Sequence, residues 1–111
     1  MPTLQTWGGR SRFSYTGSVK TGTKIAYGSG YPIPVTADEY AKLLEHFRGR
    51  TVNIGTSRTA APEGSVGKWL QCHVTQTAVA SYVGPILIAE GYAEKGEWAE
   101  IRFRQKAESH N

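Results

Sequence analysis

Apolar positions alternate with polar ones between residues 12 and 27. Phe13 and Tyr15 fall on one side, Ile25 and Tyr27 repeat the pattern, and "KTGT" lies between the two runs. Period-two spacing in aromatic and β-branched residues around a glycine-containing break predicts a β-hairpin. Two strands alone are marginal in water, so the hairpin must pack on the rest of the chain or on a partner. After residue 35 the period changes. In "VTADEYAKLLEHFRG" Tyr40, Leu43, Leu44 and Phe47 recur at helical spacing and form one apolar face. Thr36 and Glu39 have the spacing of a capping box, Val35 and Tyr40 that of a hydrophobic staple, and Gly49 ends the helix. "RTVNIG" then reads as a short strand with Val52 and Ile54 on one side.

"TSRTAAPEG" is a loop, with Pro62 suited to the first turn of a following helix. "EGSVGKWLQ" gives a short helix that turns Val66, Trp69 and Leu70 toward the core, and "CHV" is the turn behind it. Thr75 can cap a third helix running through "QTAVASYVGPILIAE", with Val79, Val83 and Ile86 buried and Tyr82 and Ala89 beside them. Pro85 removes the hydrogen bond to Ser81, so the helix kinks or restarts there, or packing tolerates the residue. A hairpin closes the chain: Tyr92 and Ala93, the turn "EKGE", then "WAEIRFR". Its last strand sends Ala99, Ile101 and Phe103 one way and Trp98, Glu100, Arg102 and Arg104 the other.

The order helix, strand, helix, tight turn, helix, hairpin resembles the winged-helix branch of the helix-turn-helix superfamily. The resemblance covers roughly residues 36–105 and centres on "WLQCHVTQTAV", where two helices cross over a small turn with buried contacts. It implies an α+β fold: a winged helix with three helices, a short strand and a C-terminal β-hairpin wing. Residues 1–35 add an N-terminal basic β-hairpin extension, and residues 106–111 form a tail. The resemblance further implies a recognition helix in the major groove of double-stranded DNA and a wing on the backbone or minor groove. That would offer Gln76, Thr77 and Ser81 to base edges, and Thr75 to the helix cap and a phosphate. Lys68, Arg58 and the wing's Lys95 would hold phosphates.

Charge complicates this picture. Thirteen Lys and Arg against nine Asp and Glu leave the chain at +4. Arg10, Arg12, Lys20 and Lys24 precede residue 36 without a single acid, and the remainder is balanced. The third helix carries no Lys or Arg, and "EKGE" flanks its lysine with acids. Phosphate contacts supply most non-specific affinity. A neutral reader must therefore borrow charge, and the N-terminal hairpin is the lender. The expected function is a small non-enzymatic DNA-binding protein, a candidate transcriptional regulator. The alternative is a protein-interaction module on the same scaffold, which fits the uncharged helix.

The remaining features narrow the field. At 111 residues the chain is one domain with a modest core. No apolar run approaches a membrane span, and "MPTLQTWGGRSRF" lacks a secretory segment, so a cytoplasmic location is expected. The single Cys72 cannot build a disulfide framework. Cys72, His46, His73 and His110 lack metal-ligand spacing, and neither "GSGYP" nor "TWGGR" follows the phosphate-loop pattern, so no metal, cofactor or catalytic group is expected. Trp7, Tyr15, Tyr27, Tyr31 and Trp98 exceed what so small a core holds. The N-terminal hairpin is expected to cover Trp98, and a homodimer or another protein partner is the other outlet for these rings.

Overall fold

The protein is described by a computed structural model covering residues 3–27, 31–57, 59–75 and 77–104. Gln76, Arg58 and the tail at 106–111 lie outside the described residues. Over the described residues the fold is α+β, with three helices and two small antiparallel sheets.

The N-terminal third is larger than a hairpin. Strands β1 (Thr3–Gln5), β2 (Arg12–Ser18), β3 (Gly22–Ala26) and β4 (Ile33–Val35) form a four-stranded meander in sequential order. Alternation sets its faces. Phe13, Tyr15, Thr23, Ile25, Ile33 and Val35 are buried, whereas Arg12, Thr16, Lys24 and Pro34 are exposed. The β2–β3 turn is tight. Gly17 and Gly22 both have positive φ, 87° and 95°, and a side chain on Gly17 would overlap the carbonyl of Gly22. The outer strands β1 and β4 are short and carry too few alternating positions to stand out in the sequence.

Helix α1 (Ala37–Phe47) follows the sequence closely. The Glu39 amide donates to Thr36 Oγ1 at 3.1 Å, and the Thr36 amide donates to Glu39 Oε1 at 2.9 Å. Tyr40, Leu43 and Phe47 are buried, and Val35 and Tyr40 lie on either side of the cap as a staple requires. Strand β5 (Thr51–Asn53) leads to α2 (Val66–His73), and α3 (Ala80–Ala89) precedes β6 (Ala93–Lys95) and β7 (Glu100–Phe103). The second sheet has the order β5-β7-β6.

Three boundaries differ from those expected. Pro62 stands ahead of α2, whose cap is Ser65; its Oγ accepts from the Lys68 amide at 3.1 Å. Cys72 and His73 belong to the last turn of α2, so the connection to α3 is 74–79 instead of a three-residue turn. Trp98 sits in the β6–β7 turn and not in the final strand.

One core joins all of this. Phe13, Tyr15 and Ile25 from the first sheet belong to the same buried cluster as Leu43, Val66, Val83, Leu87, Ile101 and Phe103. At roughly 1.5–3 kcal/mol per fully buried aliphatic or aromatic side chain, this cluster is the main source of stability. α3 runs through its centre. Gly84 admits no side chain, because a Cβ there would stand 2.8 Å from the Trp7 ring and 2.9 Å from Ile54 Cδ1. Only Ala89 of α3 is exposed, contrary to the buried place expected for it.

Candidate functional site

The expected DNA-reading surface centres on the start of α3. Thr75 does not cap this helix. Its Oγ1 accepts from the Thr77 amide at 3.3 Å, a local turn five residues before the helix begins. The residue in the cap position is Val79, which has no side-chain oxygen to offer. The competing pull is α2, whose last carbonyls hold this segment: the amides of Val74 and Thr75 both donate to the Leu70 carbonyl, at 2.8 and 3.0 Å. Thr77 and Ser81 are half-buried.

α3 is covered by the first sheet. Tyr82 packs between Phe13 and Tyr27, with ring centroids 5.1 Å from each. At the far end Glu90 clamps the β2–β3 hairpin. Its carboxylate accepts from the Tyr15 hydroxyl at 2.8 Å and from the Val19 amide at 2.9 Å. Burial, followed by the hydrogen bond to Glu90 and that group's charge, pushes the Tyr15 hydroxyl up from 10.0 to about 12. Tyr40, which shares a buried 2.7 Å hydrogen bond with Thr23, is raised further, chiefly by burial and against the effect of that bond.

Pro85 fits a role that sequence reasoning missed. With no amide at 85, the Ser81 carbonyl lacks its intrahelical donor. The Trp7 amide, from the β1–β2 turn, donates to that carbonyl at 3.0 Å. α3 continues through Pro85 without restarting. The proline therefore opens an acceptor that ties the N-terminal segment to the helix.

The cations are distributed on several faces. Arg10, Arg12, Lys20 and Lys24 are all exposed. Arg12 and Lys24 alternate with buried neighbours, so they occupy the outer face of the first sheet, the face turned away from α3. Lys95, expected as the cation of a wing, does not stand free. It lies 4.9 Å from the Trp7 ring centroid, and its Nζ donates to the Trp7 carbonyl at 3.4 Å. Lys68 is half-buried and borders a hollow with His46, Trp69, Cys72 and His73. There Trp69 stacks on His73 at 4.5 Å and faces His46 at 6.2 Å. Among the described residues no group of three His, Cys, Asp or Glu is placed to hold a metal ion, and no helix is long and apolar enough to cross a membrane.

Two features stand out at the surface, besides Tyr31, which is as exposed as Trp98. Trp98 is 93% exposed, against the expectation that the first sheet would cover it. It also has φ 55°, a conformation that costs a bulky residue about 1 kcal/mol or more. The turn is held around it by bonds from the Gly96 amide to the Glu100 carbonyl and from the Glu100 amide to the Glu97 carbonyl, at 2.8 and 2.9 Å. The second feature is a groove of about 340 Å³ between β1, the β1–β2 turn and the later half of α3, walled by Leu4, Trp7, Pro85, Ile88, Ala89 and Lys95. Its helical wall carries no periodic signal distinct from that of a core helix, which is why the sequence did not announce it.

No protein-family model matches the chain. No curated protein and no solved structure matches it either.

Proposed function

We propose that this chain is a non-enzymatic protein-interaction module built on a winged-helix scaffold. Support for the scaffold comes from the order α1, β5, α2, α3, β6, β7 and from the sheet order β5-β7-β6. The observation that carries the function is the cover over α3. A helix that reads the major groove must offer an exposed face to base edges. Here Tyr82 is held between Phe13 and Tyr27, and Ser81 binds Trp7 through its backbone. Trp98, which like Tyr31 is 93% exposed, lies at the tip of the wing, where a rigid ring suits a protein contact.

A second reading rests on a different observation. The first sheet contains no acid, and Arg10, Arg12, Lys20 and Lys24 are all exposed on it or its turns. Such a surface favours phosphate by counterion release, without any use of α3. Fluorescence anisotropy of a labelled mixed-sequence duplex, titrated at low and near-physiological salt, separates the two. The expected result is no binding tighter than high micromolar at low salt. Tight binding that weakens steeply with salt and disappears when the four cations are replaced would install the DNA reading instead.

A further inference from the structure

We propose that the partner of the wing is a second copy of this chain, with the Trp98 turn of each copy seated in the β1–α3 groove of the other. The proposal rests on the protein-interaction reading and names its partner. Three observations carry it. First, Trp98 is 93% exposed, and the hydrogen-bonded hairpin turn that gives it a φ of 55° holds its ring out from the monomer. Second, an apolar groove of about 340 Å³ lies beside it, and Lys95 belongs to both: it lines the groove and stands three residues before Trp98. The Lys95 contact to Trp7 fixes the wing against the groove wall. Knob and groove therefore occupy neighbouring places on one rigid surface. That is the arrangement a two-fold, self-complementary interface requires, since each copy must present both.

Third, the charges match between copies. The turn that carries Trp98 is acidic, with Glu94, Glu97 and Glu100 around it. The groove wall formed by Trp7, Gly8 and Gly9 continues along the chain into exposed Arg10, and Lys95 lines the groove itself. Among the described residues Arg10, Arg12, Glu97 and Glu100 make no ion pair, while Glu94 makes one long contact to Arg102 at 3.9 Å. An acidic wing entering a groove that holds Lys95 and adjoins Arg10 is steered there. A tryptophan buries roughly 150–250 Å², so two reciprocal insertions fall below the size of a standard specific interface, and the dimer should be weak and transient.

Sedimentation velocity of the full chain from micromolar to submillimolar concentration tests the pairing. A monomer–dimer equilibrium is expected. W98G and Ala89→Glu should each weaken it by about tenfold or more while circular dichroism and urea unfolding report an intact fold. W98G places a residue suited to positive φ at that position, so a merely structural Trp98 would change stability and leave association alone. Charge exchange gives the stricter test. R10E and E97R should each dissociate, because each places like charges at both contacts. A mixture of the two should form a heterodimer within about threefold of the native affinity, because both contacts then pair opposite charges. A monomer throughout the range, or association indifferent to W98G, would overturn the proposal. So would a mixture that stays dissociated. A monomer that also ignores DNA overturns this pairing alone, whereas salt-sensitive DNA binding overturns the reading beneath it.

Discussion

Glu90 is an unusual residue with which to end α3. A carboxylate at a helix C-terminus faces the negative end of the helix dipole, which is unfavourable. The Tyr15 hydroxyl and the Val19 amide offset this by donating to it directly. The pair gives a pH signature. Tyr15 releases its proton near 10 in the unfolded chain and near 12 in the folded one. Between these values the unfolded state binds fewer protons, so stability falls as pH rises. The contribution is complete below pH 10 and lost through pH 12. Urea unfolding followed from about pH 9 to about pH 12.5, a window set by tyrosine's ordinary value of about 10 and its rise on folding, should show this decline. Tyr15→Phe should reduce its slope and, at neutral pH, cost about 1–2 kcal/mol by leaving Glu90 short of a donor. An unchanged slope in Tyr15→Phe would remove the clamp from the account. None of this was legible in the sequence. Tyr15 and Glu90 stand 75 residues apart, and only the fold brings them together.

Among the elements, α1 and α3 show where local pattern succeeds and where it fails. α1 was legible to the residue because its cap, staple, apolar face and terminating glycine all lie within one segment. α3 was legible as a helix but misplaced at its start, because Thr75 satisfies the local rule for a cap while α2 claims the same segment through Leu70. Thr36 and Thr75 offer a paired test. Thr36→Ala should cost about 1 kcal/mol or somewhat more, since two reciprocal bonds are lost. Thr75→Ala should cost about half of that or less, because its hydroxyl serves only a local turn. Thermal or urea unfolding of both variants measures the difference. Equal losses would mean that Thr75 stabilises α3 after all. The candidate site was only partly readable. Alternation announced an outward Trp98, but not its place in the turn or its positive φ, and nothing in residues 1–10 announced the contact with α3.

Across the whole molecule, the division into an N-terminal extension and a helical domain dissolves into one core. Phe13 illustrates this: it packs on Tyr82 from α3 and lies with Tyr15 in the cluster that reaches Phe103. Phe13→Ala should therefore cost about 3–5 kcal/mol. It should lower a single unfolding midpoint seen alike by helical circular dichroism and by tryptophan fluorescence. Two separated transitions, with the helical signal surviving the loss of the first sheet, would restore the two-part description.

The contacts that close this core also order its assembly in time. During synthesis the first four strands are made before α3 exists. Only the Thr23–Tyr40 bond to α1 can follow soon after; the other fastenings are the Ser81 carbonyl, Glu90 and Lys95, and the Lys95 tie to Trp7 spans 88 residues. Such distant closures are slow, because chain entropy must be spent before the contact returns anything. The segment born first is thus completed last. Until residue 95 has left the ribosome, the nascent protein must carry Phe13, Tyr15 and Ile25 on an unfinished sheet, open to whatever apolar surface a chaperone or a neighbouring chain presents.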